Sequence, residues 1–458
     1  MNLRYVWRIS LIAAMGGLLF GYDWVVIGGA KPFFEPYFQL VSEQSRGWAN
    51  SCALLGCLLG AVFTGGVSDS FGRKRLLIAA ALLFVASSVL TGWASSFSWF
   101  VCWRIAGGVA IGMASALSPM YVAEIAPANV RGRLVAMNQF AIVIGVLAAQ
   151  IVNWQIAQKM PDGATAEFIR ASWNGQTGWR WMFTAVAAPA LLFFAGALTI
   201  PESPRWLVKN GRAGLARDVL SRIGGTGYAE QEVRSIQESL AAEEIHKVHF
   251  GELLHPGLRK IVLIGVLLAV LQQWSGINVI FNYAEEIFRL AGYGVSSIML
   301  NIVITGVVML LFTVIAIQSV DRFGRRALML IGCTGIGLFH TLIGCSYQFQ
   351  WAGPVVITFV LPTIACYSFS LAPVTWVLIA EIFPNRIRGA AVAVAVSALW
   401  IACFLLTFTF PFLNSALGAA KTFWVYAGIC FFGVAFIQFQ VPETKGKTLE
   451  AIERDQLG

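Results

Sequence analysis

The chain reads as an all-α integral membrane protein: twelve transmembrane helices in two six-helix lobes, with a short cytoplasmic helical segment between them. Three observations lead there. Of its 458 residues 58% are hydrophobic and only 12% charged, with a mean hydropathy of +0.72, whereas an ordinary soluble domain carries roughly 25% charge. The apolar residues gather into twelve runs near the length of about 20 residues that crosses a bilayer as a helix, and the runs are continuous rather than alternating, which favours helices over a barrel. Short polar sequences also recur at a nearly constant offset, so the second half repeats the plan of the first.

The predicted spans cover 9–31, 47–68, 76–97, 99–123, 132–157, 180–200, 259–288, 296–319, 327–348, 353–382, 389–413 and 421–441. The first follows a basic start (Arg4, Arg8) and is too long for a cleaved leader, with no small-residue cleavage site before the next polar loop, so it is expected to stay as an anchor. Basic residues then collect in alternate loops: Arg73, Lys74 and Arg75; Arg131 and Arg133; nine between Arg205 and Lys260; Arg322, Arg325 and Arg326; Arg386 and Arg388; Lys445, Lys447 and Arg454. With Arg4 and Arg8 these sets hold 24 of the 32 Lys and Arg, which predicts that both termini are cytoplasmic. The net charge of +9 therefore reports topology and contact with anionic lipid. No nucleic-acid partner is implied, because no basic patch is interleaved with aromatics on a soluble domain.

The remaining residue types narrow the chemistry. All eight cysteines lie inside predicted spans without a Cys-x-x-Cys pair and read as small core residues. Three histidines (His246, His249, His255) fall in the cytoplasmic segment and only His340 in a span, so no metal site is expected. Trp7, Trp99, Trp154, Trp179, Trp351 and Trp424 sit near span ends, where tryptophan anchors a helix at the interface. No nucleophile with its base, phosphate loop or metal cluster assembles, so the chain is not read as an enzyme.

The internal repeat sets the domain plan. Asp69-Ser-Phe-Gly-Arg73-Lys74 recurs as Asp321-Arg-Phe-Gly-Arg325-Arg326; Glu124-Ile-Ala-Pro with Arg131 recurs as Glu381-Ile-Phe-Pro with Arg388; Pro201-Glu-Ser recurs as Pro442-Glu-Thr. The division is an N-terminal lobe 1–200, a cytoplasmic helical linker 201–258, a C-terminal lobe 259–441 and a tail 442–458. Within the seventh span, Gln272-Gln273-Trp-Ser-Gly276-Ile-Asn278 places three amides in an apolar run. Unpaired polar groups in a bilayer cost several kcal/mol each, so such amides face a cavity or a partner helix. Each offers a donor and an acceptor, as sugar hydroxyls require, and Gly276 is a place where the helix can open. Helix-to-helix adhesion is the alternative use of the same groups.

These motifs in this order, with Pro201-Glu-Ser-Pro-Arg205, Gly178-Trp-Arg-Trp181 and Pro442-Glu-Thr-Lys-Gly446, resemble the sugar porter family of the major facilitator superfamily over nearly the whole chain. Ser118-Pro-Met-Tyr-Val-Ala-Glu124 and Asn138-Gln-Phe-Ala-Ile142 are most similar to its bacterial xylose/proton symporters. The resemblance implies the major facilitator fold and a monosaccharide cup of Gln139, Gln272, Gln273, Asn278, Trp376 and Trp400. It also implies a cytoplasmic gate of Asp69, Arg73, Glu124, Arg131, Asp321, Arg325, Glu381 and Arg388, in which Asp69 and Arg73 clamp the lobes and Glu124 pairs with Arg131 or Arg388. Ser70 and Ile317 depart from the family's loop pattern. Val146, Met309, Asn282 and Leu399 stand where xylose porters carry other sugar contacts, leaving xylose, glucose, arabinose, galactose or inositol open, with xylose and glucose first.

Asp23 in span 1 and Arg104 in span 4 are intramembrane charges, and such charges are functional suspects. At 1.5 Å per residue they lie about 10 and about 7 Å below the same surface, close enough in depth to pair. Parting of the pair during transport would switch a proton on Asp23, the resemblance pointing the same way, and one charge through 100 mV is worth about 2.3 kcal/mol. The expected function is proton-coupled monosaccharide uptake by alternating access, the alternatives being an uncoupled facilitator and a non-transporting sugar receptor. The expected partners are the sugar and the lipid bilayer, with the chain a monomer of a bacterial inner membrane and the proton its only coupling agent, with no cofactor.

Overall fold

The structure, a computed structural model, describes residues 1–445 apart from 162, 246–250, 252, 254, 352 and 385–386; side chains at 242–245, 256, 257, 320, 321 and 380 also lie outside the description. His246, His249, Arg386, Lys447, Arg454 and the side chain of the expected gate residue Asp321 fall in those sets.

Five helices follow one another from the start: α1 (Leu3–Phe38), α2 (Glu43–Phe71), α3 (Arg73–Gly92), α4 (Phe97–Ile125) and α5 (Ala128–Ile156). After a short α6 (Ala166–Ala171), the sixth crossing is assembled from a π-turn over Asn174–Gly178, α7 (Trp179–Thr184) and α8 (Ala187–Thr199). Three polar helices, α9 (Pro204–Lys209), α10 (Ala213–Gly224) and α11 (Thr226–Ile245), occupy the linker. The seventh crossing is broken into α12 (Pro256–Trp274), α13 (Ile277–Asn282) and α14 (Ala284–Leu290); α15 (Val295–Phe323) and α16 (Arg325–Gln348) follow, and the tenth crossing is broken at Ser370 between α17 (Gly353–Phe369) and α18 (Leu371–Ile382).

The last helix, α19 (Arg388–Gln440), has 53 residues, more than twice what one crossing needs. Gly418, at φ 77° and ψ 162°, folds it into two arms. Among the described residues eleven helical stretches are long and apolar enough to span a membrane, and the bend in α19 divides one of them into two crossings.

Local chemistry explains where these helices begin and how closely they pack. Ser42 and Ser96 cap α2 and α4 by accepting from the Ser45 and Trp99 amides. Between α2 and α4 the backbones touch: a Cβ on Gly108 would stand 1.9 Å from the Ala53 carbonyl oxygen, and one on Gly112 2.1 Å from that of Cys57. Small residues permit this approach, which is what joins helices in a medium with no hydrophobic drive between them. Leu59, Phe63, Leu191, Leu192 and Phe432 are exposed on the outside of the bundle, where lipid chains would cover them.

Several expectations need correction. The first span runs on past 31 to Phe38, with Pro32 and Pro36 inside the helix. Trp179 is no interface anchor: it is fully buried among Phe34, Phe38, Phe100 and Phe183, whereas Trp7, Trp99, Trp154, Trp351 and Trp424 are exposed. Cys102 is exposed on α4 and not a core residue. Periodicity places a residue along a span; only packing decides which side it faces.

The lobes meet along α1 with α13 and α14, α2 with the first arm of α19, and α5 with α15. The end of the molecule that carries Arg73, Arg131, Arg325 and Arg388 is called here the basic face, and the opposite end the far face.

Candidate transport site and lobe interface

The break in the seventh crossing builds the amide string. Gly276 takes φ 86°, a left-handed conformation that favours glycine, so α12 stops and α13 restarts at an angle. The break sets Gln272 and Gln273 at the end of one helix and Asn278 in the first turn of the next. Asn278 Nδ2 donates to Gln273 Oε1 and lies 3.3 Å from Cys403 Sγ, while Gln273 Nε2 donates to Gln272 Oε1 at 3.4 Å. Gln272 Nε2 donates to the Leu371 and Ala372 carbonyls at 3.1 and 3.3 Å, so its donor is spent on the broken tenth crossing.

The other expected cup residues are placed less tightly. Trp400 is buried with its ring 5.9 Å from that of Phe20 on the opposite lobe, and its Nε1 has no protein acceptor. Trp376 is 39% exposed on α18, and Gln139 is half-buried on α5. Among the described residues, no hydrogen bond or ring contact joins Gln139 or Trp376 to the amide string.

Asp23 and Arg104 come together as their depths suggested. Arg104 Nη1 donates to Asp23 Oδ1 at 2.9 Å and Nη2 to the Asp23 carbonyl at 3.4 Å, both residues 3% exposed. The pair is incomplete: Asp23 Oδ2 and Arg104 Nε are buried with no partner. The guanidinium also lies over the Phe183 ring, 5.4 Å from its centroid.

On the basic face every ion pair described stays within one lobe and its adjoining helices. Arg73 bridges Asp69 (3.0 Å) and Glu124 (2.8 Å), Lys209 reaches Asp69 (2.6 Å), and Arg325 meets Glu381 (3.2 Å). Glu124 thus pairs with Arg73, not with Arg131 or Arg388. Those two arginines instead donate to the Ala126 and Phe383 carbonyls, capping the ends of α4 and α18, where free carbonyls and the helix dipole favour a cation.

The repeated Pro-Glu motifs complete the same units. Glu202 accepts from the Arg73 and Lys74 amides at the start of α3 (2.9 and 3.0 Å), and Glu443 from the Arg325 and Arg326 amides at the start of α16 (3.0 and 3.1 Å). A carboxylate at a helix N-terminus satisfies free N–H groups and the dipole together.

The far face holds a cluster that the sequence reading missed. Lys31, fully buried, sits 2.5 Å from Glu286 and 3.7 Å from Glu285 of the other lobe, and 3.6 Å from Glu35 of its own helix. Arg46 lies 3.7 Å from Glu35 and Arg289 3.2 Å from Glu285, so three cations face three carboxylates. The Lys31 ammonium also lies over the Tyr283 ring, 4.8 Å from its centroid. Nearby, Gln150 on α5 donates to Thr305 on α15 (3.4 Å), and the Met160 amide to Ser296 (3.1 Å). A signal was present in the sequence: two acidic residues inside the seventh apolar run, with a lysine at the last position of the first.

Comparison with known proteins bears on this geometry. The family described as "Sugar (and other) transporter" matches residues 9–455. The chain is similar to the D-xylose-proton symporter of Escherichia coli (strain K12), 40% identical over 483 residues and covering 99% of this chain and 96% of that protein. It is also similar to the arabinose-proton symporter of Bacillus subtilis (strain 168), 38% identical over 454 residues, with 99% and 95% covered. Among solved structures it is similar to the partially occluded inward open conformation of the xylose transporter XylE from E. coli, with a TM-score of 0.85 at 38% identity, covering 97% of this chain and 100% of that one.

Proposed function

The chain belongs to the sugar transporter family, and on that premise we propose that it carries a monosaccharide inward with a proton by alternating access of its two lobes. The observation that carries the proton half is the buried Asp23–Arg104 pair, in which one carboxylate oxygen has no partner. Arg104 faces the carboxylate while the pair is closed, and its withdrawal would leave a lone carboxylate inside the membrane, the kind of group that marks a proton pathway. A proton taken when the pair parts and released when it re-forms moves across the membrane with each cycle. The relatives named for proton symport support this reading.

Sugar binding rests on Gln273 and Asn278 at the break, with Gln139, Gln272, Trp376 and Trp400 completing the cup. Gln273 and Asn278 now satisfy each other, an arrangement that a hydroxyl-bearing guest can replace bond for bond. Gln272 has a second task, since it ties the two broken crossings together. Xylose is the first sugar to test and glucose the second. The coupling proton is the only agent the mechanism requires besides the sugar.

The far-face cluster belongs to the cycle as the contact that closes that side. Because it joins the lobes, opening that face separates Lys31 from Glu285 and Glu286. On the basic face the gate residues Asp69, Arg73, Glu124, Arg325 and Glu381 act as braces of each lobe, with Arg131 and Arg388 capping the adjoining helices. Both termini are assigned to the cytoplasm from the distribution of Lys and Arg, the membrane is taken as a bacterial inner one because the similar proteins are bacterial, and the transporting unit is taken as a monomer.

The test is a liposome experiment with wild type and Asp23→Asn, recording external pH on adding each of a panel of unlabelled sugars. External alkalinisation with one sugar, abolished in the variant while sugar exchange continues, is the expected result. Exchange with no proton signal in either protein would make this a facilitator and leave Asp23 a structural partner of Arg104.

A further inference from the structure

The break that presents the amides is held from behind by one side chain that the transport reading leaves unused. At Ser275–Gly276 the helical ladder is interrupted: the Val279 amide, which would close the next rung onto the Ser275 carbonyl, turns to the Gly276 carbonyl at 3.2 Å. The Ser275 carbonyl is therefore released in a buried, apolar place, where a lone acceptor is unfavourable. His340, on α16 and fully buried, meets it with Nε2 at 2.8 Å, and the Cys430 thiol stands 3.7 Å from the same oxygen.

A carbonyl only accepts, so Nε2 carries a hydrogen, while Nδ1 is buried with no partner. The imidazole is confined by Phe423 and Tyr426 on the second arm of α19, with ring centroids 5.5 and 6.1 Å away. It also sits against Gly276 itself: a Cβ there would stand 2.9 Å from His340 Nε2 and 3.1 Å from Tyr426 Cγ.

We propose that His340 is a positioning residue for sugar binding, its Nε2–H holding the Ser275 carbonyl and thereby fixing the angle between α12 and α13. That angle decides whether Gln273, three residues before the glycine, and Asn278, two after it, converge on one guest. The ring touches no reacting group; it acts through the turn. The inference rests on the reading that the amides at the break bind the sugar.

The experiment measures sugar affinity and maximal exchange rate in liposomes for wild type, His340→Phe, His340→Gln and Gln273→Ala. His340→Phe keeps a ring and removes the donor; it is expected to weaken affinity roughly tenfold, the ordinary worth of one buried hydrogen bond, with the saturated exchange rate changed by less than about threefold. His340→Gln keeps a donor of similar reach and is expected to restore most of the affinity, which a purely space-filling role would not permit. Normal affinity in His340→Phe with affinity lost in Gln273→Ala overturns the positioning role alone. Normal affinity in Gln273→Ala overturns the sugar cup, and the positioning role with it.

A second measurement needs no change at the site. With His246, His249 and His255 replaced by Gln, ring 15N NMR of the one remaining histidine should give the single signature of the Nε2–H tautomer. A mixture of tautomers overturns the proposal even if His340→Phe does not fold.

Discussion

The two ends of the lobe interface handle charge in opposite ways. At the far face the central cation, Lys31, comes from one lobe and two of its three carboxylates from the other, so the network exists only while the lobes touch. At the basic face Arg73 finds Asp69 and Glu124, and Arg325 finds Glu381, without leaving their own lobes. A network that crosses an interface sets the free energy of closing it; one that does not travels as a rigid part when the lobes rock. The difference teaches that a repeated charged motif need not be a lock between the halves that carry it. Here the described pairs of the repeated charges lie inside each half, and the network that crosses between the halves is built from residues that the repeat does not contain.

The contrast can be broken most forcefully at Lys31. Lys31→Met leaves three clustered carboxylates with only Arg46 and Arg289 at the rim, and removing one partner of a buried pair costs about 3–5 kcal/mol. That shifts the closed far face toward open by roughly two to four powers of ten. Spin labels at Gln44 and Ser415, on opposite lobes, should separate, and the double exchange Lys31→Glu with Glu286→Lys should bring them back. Unchanged distances in Lys31→Met would show that the apolar contacts alone close that end.

Glu124→Gln offers the counterpart on the basic face. Arg73 keeps Asp69, but its two bonds to Glu124 Oε1 pass to a neutral amide oxygen and lose their charge assistance, worth about 1–1.5 kcal/mol. The thermal midpoint should fall while the far-face label distance stays as in wild type; a moved distance would mean that the brace is also a lock. The smallest effects are expected from Glu202→Gln and Glu443→Gln, each weakening a helix N-terminus by about 0.3–1 kcal/mol. Because the two glutamates make matching bonds to α3 and α16, their midpoints should shift alike, and a marked inequality would end the structural equivalence of the halves.

How much of this was legible in the sequence depends on where each residue's partner lies. The twelve crossings, the repeat and the opening at Gly276 follow from local pattern, and Asp23 with Arg104 could be matched by depth. The end of the first span was set too early because Lys31, Pro32, Glu35 and Pro36 look like a helix stopping at an interface. They continue it because carboxylates of the other lobe neutralise the lysine, and no local pattern reveals that. The repeat points Glu124 to Arg131 or Arg388, while its partner Arg73 lies on another helix 51 positions earlier. In the sequence His340 is a lone histidine in a span; what makes it notable is a carbonyl that only the fold releases.

The crossing network also has a history within each molecule, written during synthesis. Arg73 precedes Glu124 and Glu202 by at most 129 positions, so the first lobe's brace can form before the second lobe is made. Lys31 must wait for Glu286, 255 positions later, which at ribosomal speeds of about 5–20 residues per second is roughly 13 to 50 s. Through that interval Glu35, one turn on in the same helix, is the carboxylate described within reach of the lysine. The seventh crossing brings Glu285 and Glu286 to the lysine, so the network is complete only once the two halves meet.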